Sequence, residues 1–391
     1  MESKKKIDFS KLKNLASMDL KDVTAKIKSS NNKSESKLKK LLNTKIEKSR
    51  NVVSFDIGTN STKIVVGKHF KGKVTVNKCI NIKTPEGSVA DGKIINKEEL
   101  CDVVKFTLNQ NNIKAKEGIC TTNSSSIINR DIVIPKVKPE EMDTVIRFEI
   151  QQYLPINLND YVIQYTILDE IVEDTGVKLK VNVISFPERV AYSYYELLKE
   201  LNLNPYILDV TYNSLNKAAN YSDLTKGIRG TVAFVDMGAT SINATMLKNG
   251  KLDFTRMIKS GGDNIDFALS HKLDVSIKST ESIKIEKGNL EDIKENDIVN
   301  LTIKDTVDSI LDDLERIIQF YKNKSSSGEI DKIYIYGGAS NLVGIDKYIG
   351  NKFNIPTEKI SNLINIDFVA NELKETSMEQ YLNAIGSIIR L

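Results

Sequence analysis

The sequence predicts an α/β protein built from two similar halves, with an extra block set into the first. Three observations carry this. A glycine-rich hairpin pattern occurs twice, at residues 52–66 and 232–244. Each copy opens a β-β-β-α-β order of apolar runs. Between the copies, at about 130–200, lies a stretch with its own strands and helices.

Residues 1–49 read as a basic tail. Residues 1–50 hold fourteen lysines and one arginine against six acidic residues, a net +9 that leaves −5 for the remainder. Residues 29–37 have the Lys/Ser/Asn composition of disordered chain. Phe9, Leu12, Leu15 and Ala16 fit one helix face, and so do Leu38, Leu41, Leu42 and Ile46. Such basic amphipathic segments lie on an anionic membrane surface or dock on a partner; short isolated helices otherwise stay solvated linker.

The first domain is placed at 50–229. Runs 52–57, 62–67 and 74–81 read as strands. A helix follows at 97–110, its apolar side carrying Leu100, Val103, Val104, Phe106 and Leu108. Asn96 caps it, and Glu98 and Glu99 favour its first turn. Residues 118–122 form another strand. In the inserted block, Ile132, Val133 and Ile134 make a strand stopped by Pro135. Pro139 opens a helix that runs to Tyr153 and ends before Pro155. Strands at 161–169 and 178–186 and a helix at 187–201 complete the block. A strand at 206–210 and a helix at 211–221 close this half.

The second domain is placed at 230–376. After the second hairpin come a strand at 251–258, a helix from Asp263 to Leu273, and a long helix near 300–323; a subdomain spans about 263–328. A strand then enters the Gly337-Gly338 turn. Residues 377–391 form a terminal helix that returns to the first domain.

At 391 residues the chain has room for two sizeable cores. No run of about eighteen apolar residues exists, and the first lysines have no apolar stretch behind them, so neither a membrane span nor a secretory signal is read. Cys79, Cys101 and Cys120 are widely spaced and lack CxxC pairing, which argues against a disulfide framework or zinc site and fits a reducing cytoplasm. His69 and His271 stand in Lys-rich, turn-like settings and read as surface residues.

The two hairpins carry the chemistry. Glycine lets backbone N–H groups approach a phosphate closely, and Ser/Thr hydroxyls add donors. Gly58, Thr59, Asn60, Ser61 and Thr62 meet that need, as do Gly238, Ala239, Thr240 and Ser241. Asp56 and Asp236 end their strands beside these turns, placed to hold magnesium through water. Lys63 offsets phosphate charge. One such turn alone is an ordinary hairpin; a pair with aspartate two residues before glycine points to nucleotide. Gly337, Gly338, Ala339 and Ser340 let the backbone pass a flat ligand. Gly261-Gly262 admits the same reading or a plain turn. Glu281 and Lys284 share a helix face, as a surface ion pair or as site residues. No GxxxxGK[ST] pattern is present, which excludes a P-loop enzyme.

With these residues in place, the chain resembles the actin/Hsp70/sugar-kinase superfamily: a duplicated, ribonuclease H-like fold with two domains around a nucleotide cleft and an inserted subdomain of FtsA type. Within it, the chain is similar to the PilM family of type IV pilus assembly proteins. The likeness runs from about residue 50 to the end. It rests on Arg147, Phe148, Glu149, Gln152, Tyr153, Leu154 and Pro155, on residues 192–203 with Pro205, on residues 254–262, and on Ala384, Ile385 and Gly386.

The resemblance implies ATP and Mg²⁺ as ligands. It assigns Asp56, Gly58, Thr59, Asn60 and Lys63 to the first phosphate loop, and Asp236, Gly238, Ala239 and Thr240 to the second. Gly261 and Gly262 match a loop near the nucleotide. Glu281 and Lys284 match the lining of the adenosine pocket, and Gly337, Gly338 and Ala339 its loop. It further implies a place at the cytoplasmic face of the inner membrane, a PilN-like membrane protein whose N-terminal segment is bound, and indirect coupling to the pilus assembly ATPases; no nucleic acid is implied. Thr211 stands where relatives often carry glutamate, and threonine is a poor general base, so the expectation is at most a slow ATPase. Rival readings on the same fold are an FtsA-like filament-forming cell-division protein, a small-molecule kinase, and a member that binds no nucleotide.

Overall fold

A computed structural model describes residues 49–153, 157–174, 176–324, 328–369 and 378–390. The amphipathic stretches of the tail, and Leu154 and Pro155, lie outside the described residues.

The first half begins with a meander of β1 (Val52–Ile57), β2 (Ser61–Phe70) and β3 (Lys73–Lys83), followed by a small hairpin of β4 (Val89–Ala90) and β5 (Lys93–Ile94). Helix α1 (Lys97–Gln110) starts at the Asn96 cap, whose side chain accepts from the Glu99 N–H. Then comes β6 (Glu117–Thr122). The inserted block holds β7 (Ile128–Pro135), α2 (Met142–Tyr153), β8 (Tyr161–Glu173) and β9 (Gly176–Pro187); α3 (Glu188–Glu200), β10 (Asn204–Val210) and α4 (Thr211–Tyr221) follow. The second half has β11 (Thr231–Met237), β12 (Ile242–Lys248), β13 (Lys251–Ile258), α5 (Gly262–Leu273), α6 (Ile277–Lys287), α7 (Ile298–Lys324), β14 (Lys332–Tyr336), α8 (Ile345–Phe353) and β15 (Thr357–Lys359). Strand β16 (Ile366–Phe368) and helix α9 (Leu382–Ile388) end the described chain.

The duplication is visible in strand order. One sheet runs β10-β6-β1-β2-β3-β16 and the other β13-β12-β11-β14-β15. Apart from β16, they share one order: meander, then two parallel strands on the far side of the first. Because β16 pairs with β3, the chain is already back on the first sheet before residue 377, earlier than the sequence places the return.

Alternation along β1 and β11 explains why both read as continuous apolar runs. Val53 and Phe55 face a core shared with α1 and α3, while Val52 turns the other way. Val235 packs against α5 and α7; Val232 and Phe234 face the side that Val52 faces. Strands buried on both faces lose the polar alternation of a half-exposed sheet. The shared side is one core between the two sheets, filled by α4 and α9 through Leu215, Leu382 and Ile385. Helix α9 is buried all round, as a helix sandwiched between layers must be. A Cβ at Gly386 would lie 2.0 Å from the Ser214 carbonyl oxygen, so only glycine permits this crossing of α9 on α4.

The inserted block is a three-stranded sheet, β7-β9-β8, with α2 on one face. Helix α2 begins three residues after Pro139, because Lys138 to Glu141 first close a turn in which the Glu141 N–H reaches the Lys138 carbonyl at 2.9 Å. His69 also departs from expectation. It lies near the end of β2, partly buried, and its Nδ1 accepts the Arg390 backbone N–H at 2.8 Å. His271 is exposed.

Candidate functional site

The two glycine turns close identically. The Gly58 N–H donates to the Ser61 carbonyl at 3.1 Å, and the Gly238 N–H to that of Ser241 at 3.0 Å. Thr84 fastens the first turn: its hydroxyl donates to the Gly58 carbonyl at 2.9 Å. The first turn of α5 fastens the second, through Gly262 N–H to the Gly238 carbonyl (3.0 Å) and Asp263 N–H to the Ala239 carbonyl (2.9 Å). A Cβ on Gly261 would come within 2.5 Å of both carbonyl oxygens. Gly261 is therefore the point where loop and helix touch.

The turns meet across the two halves. The Thr59 and Thr240 hydroxyls lie 3.2 Å apart, and the Asn60 amide donates to Asp263 at 2.8 Å. Behind them Asp56 and Asp236 converge on one amide: Asn383 Nδ2 donates to Asp56 Oδ2 at 3.3 Å and to Asp236 Oδ2 at 3.2 Å. A further bond joins the halves, Asn123 Nδ2 to Asn243 Oδ1 at 2.7 Å.

Loss of water pushes the Asp56 carboxyl up, against the pull of Lys63 and the Asn383 bond. The Asp236 carboxyl goes to about 7, first through burial and then through repulsion from Asp56. Each side chain keeps a partly exposed surface. Two carboxylates facing each other, with loop N–H groups and hydroxyls in front, fit a hydrated magnesium ion and the phosphates it accompanies; Mg²⁺ takes few protein ligands and keeps several waters.

The third glycine element adjoins this pair. Gly337 has φ +90°, and a Cβ there would sit 2.5 Å from Asp236 Oδ1. At Gly338 a Cβ would meet open space. Gly262 and Ala339 line a small apolar pocket with Met237, Ile242, Ile265 and Leu311. Lys284, whose ammonium also donates to the Gly262 carbonyl at 3.4 Å, pairs with Asp266 at 2.7 Å and not with Glu281, which is exposed; the Glu281 charge nonetheless helps to raise the Asp266 carboxyl, behind the larger effect of burial. Thr211 is buried as the first residue of α4.

Asn383, Asp263 and Asp266 were not legible as site residues. The available signal for Asn383 was a lone amide within the apolar run Leu382, Ala384, Ile385.

Two sheets of one order, joined by a shared core and closed by twin DxG turns, define an actin-like protein. A solved PilM-PilN type IV pilus biogenesis complex matches with TM-score 0.76 at 18% identity, covering 87% of this chain and 99% of that one. The ethanolamine utilization protein EutJ from Carboxydothermus hydrogenoformans matches with TM-score 0.52 at 13% identity, over 91% and 99% of the two chains. Cell division protein FtsA of Bacillus subtilis is 24% identical over 281 residues, 64% of this chain and 61% of that protein, so the chain spans less than two thirds of this relative. The family model described as type IV pilus assembly protein PilM matches residues 54–390. The chain belongs to that family.

Proposed function

We propose that this chain is an ATP-binding adaptor for the assembly of a type IV pilus or a related secretion system. The observation that carries the reading is the convergence of Asp56 and Asp236 from opposite halves on one point. Phosphates would lie along loops 58–60 and 238–240, on the N–H groups of residues 59, 60, 239 and 240 and the Thr59 and Thr240 hydroxyls, with Gly58 and Gly238 holding the turns closed. Asp56 and Asp236 would hold Mg²⁺ through water, and Lys63 would offset charge. Adenosine would lie by Gly337, Gly338 and Ala339, with Gly261, Gly262, Glu281 and Lys284 around it. When bound, the metal neutralises phosphate charge. Nucleotide contacting both halves favours whichever arrangement it binds better. With Thr211 at the head of α4, turnover is slow and binding is the working event.

The partner is the N-terminal segment of a PilN-like membrane protein, taken up by the inserted block; pilus assembly ATPases are reached through that complex. Among the described residues no helix is long and apolar enough to cross a membrane. The place proposed is the inner face of the cell membrane, with the basic tail against anionic lipid. Calorimetry with ATP and Mg²⁺ tests the cleft: wild type binds and Asp236→Ala does not. Equal affinity in both sinks the assignment. Equal vesicle binding with and without residues 1–49 removes the lipid contact.

A further inference from the structure

Asn383 is an unusual residue for its place. It is 5% exposed on a helix whose other members are buried and mostly apolar. A buried amide must find partners for two N–H groups and a carbonyl. Its N–H groups go to the two aspartates, and its Oδ1 lies 3.5 Å from the Tyr336 hydroxyl. The amide is thereby gripped by β1, β11 and β14, from both halves.

The helix carrying it is pinned at both ends. Ser387 Oγ lies 2.6 Å from Ser54 Oγ of β1, and Gly386 sits against the Ser214 carbonyl. Just before α9, buried Glu379 pairs with Lys359 at 3.0 Å, and Lys359 also bonds Asn341 in the turn that begins at Gly338. Withdrawing Asn383 from the carboxylates therefore moves a helix tied to the cleft loops and to the core between the sheets.

The lone pairs that receive this amide are those that the waters of a hydrated cation would use. We propose that Asn383 is an internal competitor for the cation: it clasps Asp56 to Asp236 and must leave them, with α9 shifting, for magnesium to bind. The proposal rests on reading the cleft as a cation–nucleotide site and adds a coupling to it, because occupancy by the ion is then reported by the terminal helix. At 3.3 and 3.2 Å the two bonds are longer than the strongest charge-assisted contacts, at about 2.7–2.9 Å, so the clasp sets a modest threshold for loading.

The test uses the full chain with Asn383→Ala and with Asn383→Leu, which keeps the branched outline of the side chain should the smaller residue unsettle the fold. Magnesium chloride alone is titrated by calorimetry at constant ionic strength. Both variants should bind it about tenfold more tightly than wild type, the loss of two hydrogen bonds of ordinary strength. In parallel, Thr59→Cys/Thr240→Cys is introduced, and disulfide formation is timed in a metal-free buffer. With oxidised glutathione added as the oxidant, removing the amide should slow it several-fold, because the carboxylates then repel without a clasp. Unchanged or weaker magnesium affinity, or an unchanged disulfide rate, overturns the proposal. If magnesium binding tightens while ATP binds none of the proteins, the nucleotide reading fails and the competition stands. If ATP with magnesium binds wild type and variants alike, the competition fails and the nucleotide reading stands.

Discussion

Asp56 and Asp236 occupy the same place in two copies of one hairpin, but they face different partners across it: Asp56 is opposite Lys63, and Asp236 is opposite Asn243. The Lys63 charge is the main pull on Asp56 and the least of the influences on Asp236, which is driven to about 7. The duplicated fold thus brings two acids together and leaves one of them poorly compensated.

Asp236→Asn should therefore stabilise the folded chain while removing its magnesium response. Taking away a desolvated, repelled carboxylate should add about 1–3 kcal/mol at neutral pH. The measurement is a denaturant melt with and without ATP and Mg²⁺. Wild type should gain stability from the ligand; the variant should start higher and gain nothing.

The two glycines of the third loop should separate by role. Gly337→Ala meets a positive φ and a contact with Asp236, and should cost about 1–3 kcal/mol of stability. Gly338→Ala faces open space and should melt within about 0.5 kcal/mol of wild type. If this loop faces adenosine, the second variant should nevertheless weaken ATP binding. Calorimetry beside thermal melts checks both.

Asp209 and Lys217 form a buried pair at 2.6 Å, backed by Asn213, Ser214 and the Val210 N–H. Burial alone would raise the Asp209 carboxyl, but Lys217 and the hydrogen bonds outweigh it and hold it below the usual range. Burial also lowers the Lys217 ammonium, with Asp209 opposing; four donors on one carboxylate favour the ionised pair. A lowered carboxylate contributes stability above its unfolded value, near 4, and that stability drains as pH falls further toward the folded value. Asp209→Asn leaves the Lys217 cation buried without its counter-charge and should cost about 3–5 kcal/mol at pH 7. Melts at pH 7 and pH 3 should show a smaller gap between wild type and variant at the lower pH.

The hairpins were legible because a phosphate-type turn writes itself locally: Asp56 to Ser61 is six consecutive residues, and the second copy repeats the spacing. The strands themselves were legible because runs such as 52–57 are buried on both faces and read as unbroken apolar stretches. Asn383 was hidden, since its partners are 327 and 147 residues away and nothing in the local pattern names them. The same holds for Lys284, whose partner Asp266 lies on another helix and whose spacing to Glu281 suggested a different pair. His69 looked superficial because Lys68 and Lys71 stand beside it, while the Arg390 N–H and the edge of the Tyr221 ring that meet it come from far along the chain.

Helix α2 supplies the last prediction. It buries Met142, Ile146 and Ile150, one stripe at helical spacing, so Phe148 between them points away and is 67% exposed. Nearby in the same block, edge strand β8 leaves Tyr165, Ile167 and Val172 exposed as well. An apolar side chain displayed on a polar face contributes nothing to the fold and suits a peptide partner. Phe148→Asp should change stability by no more than about 0.5 kcal/mol. It should weaken capture of the N-terminal segment of the cognate PilN-like protein at least about tenfold, as loss of an aromatic anchor does. Fluorescence anisotropy with a labelled peptide measures this directly, and equal affinity in the variant would move the partner's docking site off this face of the inserted block.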